Sequence, residues 1–271
     1  MRAEALWVEL LNAGTLQWNF MTENDRIYGL WLANSPGHFA ARDLYLGLAR
    51  ETGGPVAVIE AGSRLLGRRI EESGLDADCF SGEPGSEDPD DGMELGPGGL
   101  ANFAPSRNYR LALIPFGGFS RLWRPSDREA LLARLHGALL PGGLLALDLP
   151  APATRFAEGF WDTPRLAADL KYQDGSSTVV WETRRKPQSG AGIEEITLGV
   201  ESITAEGRVG RKIYRRMLAA PLETREVAVA AERAGFVTGC GRDRFFGRGD
   251  AGETGISFLL FIKREMAAGC N

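Results

Sequence analysis

Short apolar runs alternate with helical patterns along the middle of the chain. The runs at 56–60, 109–116 and 144–149 are mostly apolar, which is typical of strands buried on both faces of a parallel sheet. Between the last two runs, residues 126–139 repeat leucine at helical spacing. This order of strands and helices predicts an α/β fold with a doubly wound, mostly parallel sheet.

Residues 56–83 are predicted to form the opening unit of that sheet. A strand ends in Glu60, a turn contains Gly62, a helix ends before Gly74, and a second strand ends in Glu83. In doubly wound sheets a ligand binds beyond the carboxyl ends of the strands. We therefore expect the glycine turn and both glutamates to lie at the binding edge.

The pattern changes after residue 150. Three strand-like runs are separated by glycine-rich turns, at 178–183, 194–204 and 208–218. Consecutive strands of this kind favour an antiparallel sheet. The α/β pattern then returns with a predicted helix at 222–234 and with two strands, at 236–238 and 256–262.

The ends of two further helices can be predicted from local signals. A helix should begin at Pro36, since proline is favoured in the first turn. His38 in that turn is a candidate acid–base group or, alternatively, a cap or surface residue. Ser126 and Glu129 have the spacing of a capping box, so we predict that Ser126 caps the second helix.

Composition narrows the range of functions. The 271 residues carry a net charge of −5, which argues against a nucleic-acid partner because such partners leave a basic footprint. Three cysteines without paired spacing and two histidines signal neither a zinc site nor a disulfide framework, so no metal is predicted. We recognise no signal peptide and no membrane-spanning run, and we expect a cytoplasmic protein without a membrane partner.

The turn after the first strand resembles a known cofactor motif. Class I S-adenosylmethionine-dependent methyltransferases carry Glu-x-Gly-x-Gly-x-Gly at this point, and roughly 20 residues later an acid that binds the ribose hydroxyls. Glu60 and Gly62 match the first two positions, and Glu83 lies where the ribose acid belongs. The resemblance implies that S-adenosylmethionine is the cofactor and that Glu60, Gly62, Ser63 and Glu83 bind it.

Two features depart from the family pattern. Arg64 and Leu66 replace the second and third glycines, and both side chains would enter space that the methionine and ribose parts of the cofactor occupy. Gly67 restores a glycine only if the turn is shifted. The stretch 84–99 is rich in Gly, Pro, Asp and Glu, and it predicts a loop where the family has a helix.

Aromatic and amide residues complete the predicted cofactor site. Residues 24–28 resemble the Tyr-Asp-x-x-Tyr segment that lies over the cofactor in small-molecule members of the family, with Tyr28 at the last tyrosine. Asn102 and Phe103 lie where relatives bind the adenine ring. Alternatively, Tyr28 is a packing aromatic, and Asn102 and Phe103 belong to a plain turn.

The segment from Phe116 to Arg121 resembles the part of the family that borders the acceptor, and Phe116 is a further predicted cofactor contact. Some small-molecule N-methyltransferases have a substrate-facing histidine at the position of Arg121. An arginine cannot act as a general base near neutral pH. Arg121 therefore either binds a carboxylate or phosphate of an anionic acceptor or is a surface charge. The catalytic residues stay unknown, with His38 and Arg121 as candidates.

The resemblance covers about residues 24–264 and implies three regions. An N-terminal helical cap takes 1–50, and a Rossmann-like core with a seven-stranded sheet takes 51–155 and 217–265. The small antiparallel sheet is a lid inserted at 156–216. The third strand of this lid is basic, which indicates either protection of a sheet edge or a wall for an anionic substrate.

Two hypotheses about function follow. The first is methyl transfer from S-adenosylmethionine to a nitrogen or oxygen of a small-molecule acceptor by in-line displacement, in which the enzyme chiefly positions the acceptor. The second is a methyltransferase-like protein that has lost cofactor binding and acts as a binding or scaffold partner, or catalyses another reaction in the same pocket. Arg64, Leu66 and the irregular 84–99 loop motivate the second hypothesis. The sequence leaves the acceptor and the oligomeric state open.

Overall fold

The fold is taken from a computed structural model. It describes residues 27–29, 31–32, 36–62, 64–82, 100, 103–150, 161–185, 192–238 and 256–264, with the backbone alone for 36–40. Residues 27–29 and 31–32 are helical. The other helices are α1 (Pro36–Thr52), α2 (Leu65–Glu72), α3 (Gly118–Arg121), α4 (Pro125–Ala138) and α5 (Thr224–Arg233).

The strands belong to two separate sheets. Those of the larger sheet are β1 (Val56–Glu60), β2 (Ala77–Ser81), β3 (Tyr109–Ile114), β4 (Leu139–Pro150), β9 (Phe236–Thr238) and β10 (Ile256–Lys263). Those of the smaller sheet are β5 (Arg165–Lys171), β6 (Ser177–Arg185), β7 (Glu194–Ile203) and β8 (Val209–Ala219).

The larger sheet is mixed and has the order β2-β1-β3-β4-β10-β9 in the described part of the chain. The four strands β1 to β4 run parallel, and β10 is antiparallel to both of its neighbours. The predicted α/β fold is therefore confirmed. A seventh strand is not among the described residues and stays a prediction.

Helices cover both faces of the larger sheet. Ala57 and Ile59 of β1 pack with α4 and α5 on one face, whereas Val56 and Val58 pack with α1 and α2 on the other. All of β1 is buried. A strand with two buried faces needs apolar side chains at successive positions, and burial of each large one contributes about 1.5–3 kcal/mol.

The smaller sheet is antiparallel, with the order β5-β6-β7-β8. The runs predicted for the lid are its strands β6, β7 and β8. The sequence pattern does not predict β5, because a register shift between Leu166 and Ala168 interrupts the alternation. One face of this sheet carries apolar side chains such as Val180 and Leu198, and they pack against Tyr28.

One predicted helix start is wrong. Helix α4 begins at Pro125, after an extended Arg124, and no side chain caps it. Ser126 lies inside the helix and is therefore not its cap. Proline is favoured at the first helical position because the N–H that it lacks would have no partner there.

None of the helices in the described ranges combines the length and the apolar character that a membrane span requires.

Candidate active site

The turn after β1 is held by Glu60, the last residue of that strand. Its carboxylate accepts hydrogen bonds from the backbone N–H groups of Leu66 at 3.0 Å and of Gly67 at 2.9 Å. These amides lie in the first turn of α2, where backbone N–H groups have no partner within the helix and a negative charge is favourable. Glu60 is 1% exposed, so its carboxylate anchors the turn from inside the protein.

Two glycines allow this turn to form. Gly62 is buried and has φ 78°, a conformation that glycine adopts without strain. Gly67 lies against β2, where a Cβ atom would overlap the Sγ atom of Cys79 and be 3.0 Å from its Cβ. Burial raises the pKa of Cys79 to about 12, so a neutral thiol fills this contact. Gly67 thus has the role of a glycine that permits close helix–strand packing.

The side chains of Leu66 and Arg64 point away from the carboxyl edge of the sheet. Leu66 is 1% exposed and packs in the core with Val58 and Ile70. Arg64 extends along α2, and its Nη2 atom is 3.2 Å from Oε1 of Glu71. The expectation that both side chains enter the cofactor's space is therefore wrong.

A second turn follows β3 and is held by a buried acid. Asp148 of β4 accepts the N–H of Phe116 at 2.6 Å on Oδ1 and the N–H of Gly117 at 2.8 Å on Oδ2. The hydroxyl of Tyr45 on α1 donates to the same Oδ1 at 2.6 Å. Burial raises the pKa of Asp148 to about 6, although the hydrogen bonds from Tyr45, Gly117 and Phe116 each act to lower it.

The two turns touch each other. Strands β1 and β3 are neighbours in register, with Val58 opposite Leu113. A Cβ atom on Gly118 would be 3.8 Å from the backbone nitrogen of Ala61. The Asp148-held turn therefore lies beside the Glu60-held turn at the carboxyl edge.

Arg121 and Tyr28, both predicted site residues, are in contact. The Nη2 atom of Arg121 donates to the Tyr28 hydroxyl at 3.3 Å, and its guanidinium carbon is 5.8 Å from the centre of the Tyr28 ring. Its Nη1 atom lies 2.8 Å from Sδ of Met217 on β8. Arg121 is 7% exposed, so the interpretation of Arg121 as a surface charge is wrong.

Residues 27–29 and 31–32 lie between the smaller sheet and helix α2. Tyr28 is buried against the smaller sheet, and Nε1 of Trp31 donates to Oε2 of Glu182 on β6 at 2.6 Å. On the other side, a Cβ atom on Gly29 would be 3.6 Å from Leu65 at the start of α2. Tyr28 is thus both a packing aromatic and a neighbour of Arg121.

The remaining predicted site residues are distributed as follows. Phe103 is fully buried, edge-on to Phe80 of β2 with ring centres 4.7 Å apart, and Phe116 is partly buried in the turn after β3. His38 lies in the first turn of α1, and its side chain is outside the described part. Ser63, Glu83 and Asn102 also lie outside the described residues, so their roles stay predictions.

Sequence reasoning missed Asp148 and Tyr45. The signal in the sequence was the acid inside the apolar run Leu-Leu-Ala-Leu-Asp-Leu, since a carboxylate is rarely buried without partners. Its partners lie on α1 and after β3, and the sequence pattern does not show which segments meet there.

No protein-family model matches the chain, and no curated protein matches it. Solved structures do match it. The sugar N-methyltransferase KedS8 from Streptoalloteichus sp. ATCC 53650 is 13% identical, with a TM-score of 0.58 over 83% of this chain and 87% of KedS8. The SAM-bound amino pentose methyltransferase CalS10 from Micromonospora echinaspora is 16% identical, with a TM-score of 0.57 over 84% of this chain and 91% of CalS10. The chain has a methyltransferase fold.

Streptomyces venezuelae DesVI gives a similar result. It is 15% identical, with a TM-score of 0.60 over 91% of this chain and 100% of DesVI. The predicted resemblance to class I methyltransferases is thereby confirmed at the level of the fold. A shared fold does not assign roles to individual residues. The roles proposed for residues of this chain therefore depend on its own side-chain geometry.

Proposed function

We propose that the chain is an S-adenosylmethionine-dependent methyltransferase that acts on a small-molecule acceptor. The geometry of the turn after β1 carries this proposal. Leu66 packs into the core and Arg64 extends along α2, so neither substituted side chain occupies the edge where the cofactor would bind. The fold shared with KedS8 and CalS10 supports the same conclusion.

The proposed cofactor site follows the carboxyl edge of β1 and β2. Glu60 anchors the turn and Gly62 presents backbone without a side chain. Ser81 pairs in register with Glu60, and Gly82 donates to the carbonyl of Glu60 at 3.3 Å. The chain therefore passes this edge one residue before Glu83, which we propose binds the ribose hydroxyls.

We assign further contacts on the same basis. Ser63 is proposed to lie against the methionine part, and Asn102 and Phe103 against the adenine. Tyr28 and Phe116 are proposed to lie between the cofactor and the acceptor, since both belong to segments that meet next to the glycine turn.

Glu60, Gly62, Ser63 and Glu83 would hold S-adenosylmethionine at this edge. The cofactor would supply an electrophilic methyl group to the lone pair of the acceptor, with S-adenosylhomocysteine as the leaving group and the acceptor's proton going to water. The chain's own residues contribute chiefly by orienting the acceptor and excluding water. Arg121 cannot act as the base.

An amino group of a sugar is the acceptor that we propose. KedS8 is a sugar N-methyltransferase and CalS10 an amino pentose methyltransferase, and both are similar in fold to this chain. The earlier prediction that Arg121 binds an anionic group of the acceptor is kept as part of the proposal, with Tyr28 and Met217 orienting the guanidinium.

The alternative is a methyltransferase-like protein without cofactor binding. The positions of Arg64 and Leu66 do not favour it, and its other ground, the 84–99 loop, lies outside the described residues. We also propose that residues 1–50 form a cap, that 51–155 and 217–265 form a core with a seven-stranded sheet, and that 156–216 form a lid. The protein is proposed to be cytoplasmic and to have no nucleic-acid or membrane partner.

Thermal unfolding with S-adenosylmethionine and S-adenosylhomocysteine tests the proposed function. A ligand at 100 times its dissociation constant adds about 2.7 kcal/mol to the free energy of unfolding. For a chain of this size the midpoint should rise by roughly 5–10 °C. No shift with either ligand at millimolar concentration would exclude the methyltransferase proposal.

A pair of glycine variants controls for backbone strain. Gly62 and Gly207 have φ 78° and 77°, but Gly207 lies in the turn between β7 and β8, where an added Cβ atom would have nothing within 4 Å. Gly62→Ala and Gly207→Ala should lower stability by a similar amount, about 1 kcal/mol, since alanine is strained at these angles. We expect Gly62→Ala to lose the ligand-induced shift and Gly207→Ala to keep it.

A further inference from the structure

Asp148 clamps two successive residues that have an unusual backbone conformation. Phe116 and Gly117 have φ 59° and 68°, both in the left-handed region. Phenylalanine is disfavoured there because its Cβ crowds the following carbonyl oxygen. The two carboxylate oxygens of Asp148 each take one N–H of this pair, at 2.6 and 2.8 Å, and hydrogen bonds to a charged acceptor are among the stronger ones.

The orientation of Asp148 is itself fixed from α1. Tyr45 is fully buried, its hydroxyl donates to Asp148 at 2.6 Å, and its ring packs on Phe258 of β10 with centres 5.0 Å apart. Among the side chains that the structure describes, Tyr45 is the titratable one that contacts the carboxylate. The turn after β3 presents backbone N–H groups, and β10 presents the apolar ring of Phe258.

The clamped turn connects both halves of the candidate active site. Gly118 follows it and lies against Ala61 in the turn after β1. Helix α3 then leads to Arg121, which contacts Tyr28 and Met217. If the turn were released from Asp148, both the turn after β1 and the position of Arg121 would therefore be affected.

We propose that Asp148, oriented by Tyr45, is a positioning residue for methyl transfer: its buried carboxylate holds the Phe116–Gly117 turn in the left-handed conformation that the active site requires. This inference rests on the proposed function. Asp148 contacts neither the cofactor nor the acceptor in this proposal and acts through the turn alone.

The test compares the affinity for S-adenosylhomocysteine, measured calorimetrically at pH 7.5, in the wild type and in Asp148→Asn. The asparagine is isosteric, but its amide N–H₂ faces a backbone N–H, so one of the two clamping bonds is lost. We expect affinity to fall at least tenfold. Leu135→Ala on α4 is the control, because it removes a buried side chain of the core that takes no part in the hydrogen bonds to Asp148. At a temperature where both variants are folded, its affinity should stay within twofold of the wild type.

A second readout reports the clamp without any ligand. The amide proton resonances of Phe116 and Gly117 should titrate with a midpoint near pH 6 in the wild type, following the pKa of Asp148, and should not do so in Asp148→Asn. If Asp148→Asn does not fold, Tyr45→Phe replaces it. Loss of the Tyr45 hydrogen bond should move the titration to higher pH and weaken ligand binding severalfold, because that bond lowers the pKa of Asp148.

The outcomes separate the two proposals. Wild-type binding with a selective loss in Asp148→Asn supports the positioning role. Equal affinities in the wild type and Asp148→Asn would overturn that role and leave the proposed function standing. No binding by the wild type, with the amide titration intact, would overturn the proposed function and with it the role in methyl transfer.

Discussion

The carboxylate of Glu60 accepts the backbone N–H of Gly67 at 2.9 Å, across the turn that joins β1 to α2. Glu60 fixes the start of the helix, and Gly67 lets that helix approach β2. The glycine of this turn, Gly67, stands one position after the last glycine of the motif. Leu66, at the motif's own position, points into the core.

Gly67→Ala should destabilise the protein. The new Cβ would overlap Sγ of Cys79 and lie 3.2 Å from Oε2 of Glu60, and such overpacking costs about 1–3 kcal/mol. Urea unfolding measures the loss directly. Gly137→Ala is the matched control, because Gly137 is also helical but has open space around it. Alanine should stabilise α4 there by about 0.5–1 kcal/mol. Equal effects at the two sites would contradict the packing role of Gly67.

Glu60→Gln should weaken the turn without changing its shape. A glutamine has one acceptor oxygen and one N–H₂ group, so either Leu66 or Gly67 would face a donor instead of an acceptor. We expect a loss of about 1–3 kcal/mol in the free energy of unfolding. Glu72→Gln, at the exposed end of α2, should change it by about 0.5 kcal/mol or less. A small effect at Glu60 would mean that the carboxylate is not needed to hold the turn.

The larger sheet could be predicted from the sequence because its strands are buried on both faces. A short, continuous apolar run such as Val56 to Ile59, bounded by turn residues, is typical of a buried strand. Strand β5 was not accessible, since it places charged and small residues at a sheet edge and shifts register after Leu166. Its existence depends on pairing with β6, which is a tertiary contact.

The sequence could predict the candidate site only where the interacting residues lie close together along the chain. Glu60 and Gly62 lie in one turn, and their importance follows from that turn. Arg121 was harder to place, because Tyr28 and Met217 lie 93 and 96 residues away along the chain. Asp148 was missed for the same reason, since its partners come from α1 and from the turn after β3.

The stability of the wild type should depend on the titration of Asp148. Its pKa is raised from 3.8 in the unfolded chain to about 6 in the folded protein, so the folded state binds the extra proton between these values. Stabilisation from this group is complete below about pH 4 and is lost as the pH rises through 6. A shift of this size corresponds to about 3 kcal/mol.

Comparison with Asp148→Asn isolates this contribution, because the other titrating groups cancel in the difference. The free energy of unfolding of the wild type, measured relative to the variant, should rise by about 2 kcal/mol from pH 7 to pH 4. A difference that is flat over this range would show that the pKa of Asp148 is not raised by folding.

The contact between Arg121 and Tyr28 should be energetically coupled. The guanidinium lies 5.8 Å from the ring centre at a site where Arg121 is 7% exposed, and cation–π contacts gain strength when water is excluded. A double-mutant cycle with Arg121→Met and Tyr28→Leu should give a coupling of about 1–2 kcal/mol in the free energy of unfolding.

Arg124 and Trp123 provide the matched pair for this cycle. Their guanidinium-to-ring distance is shorter, 4.6 Å, but Arg124 is exposed. The corresponding cycle with Arg124→Met and Trp123→Leu should give about 0.5–1 kcal/mol. A coupling at Arg121 no larger than that at Arg124 would show that exclusion of water adds nothing there.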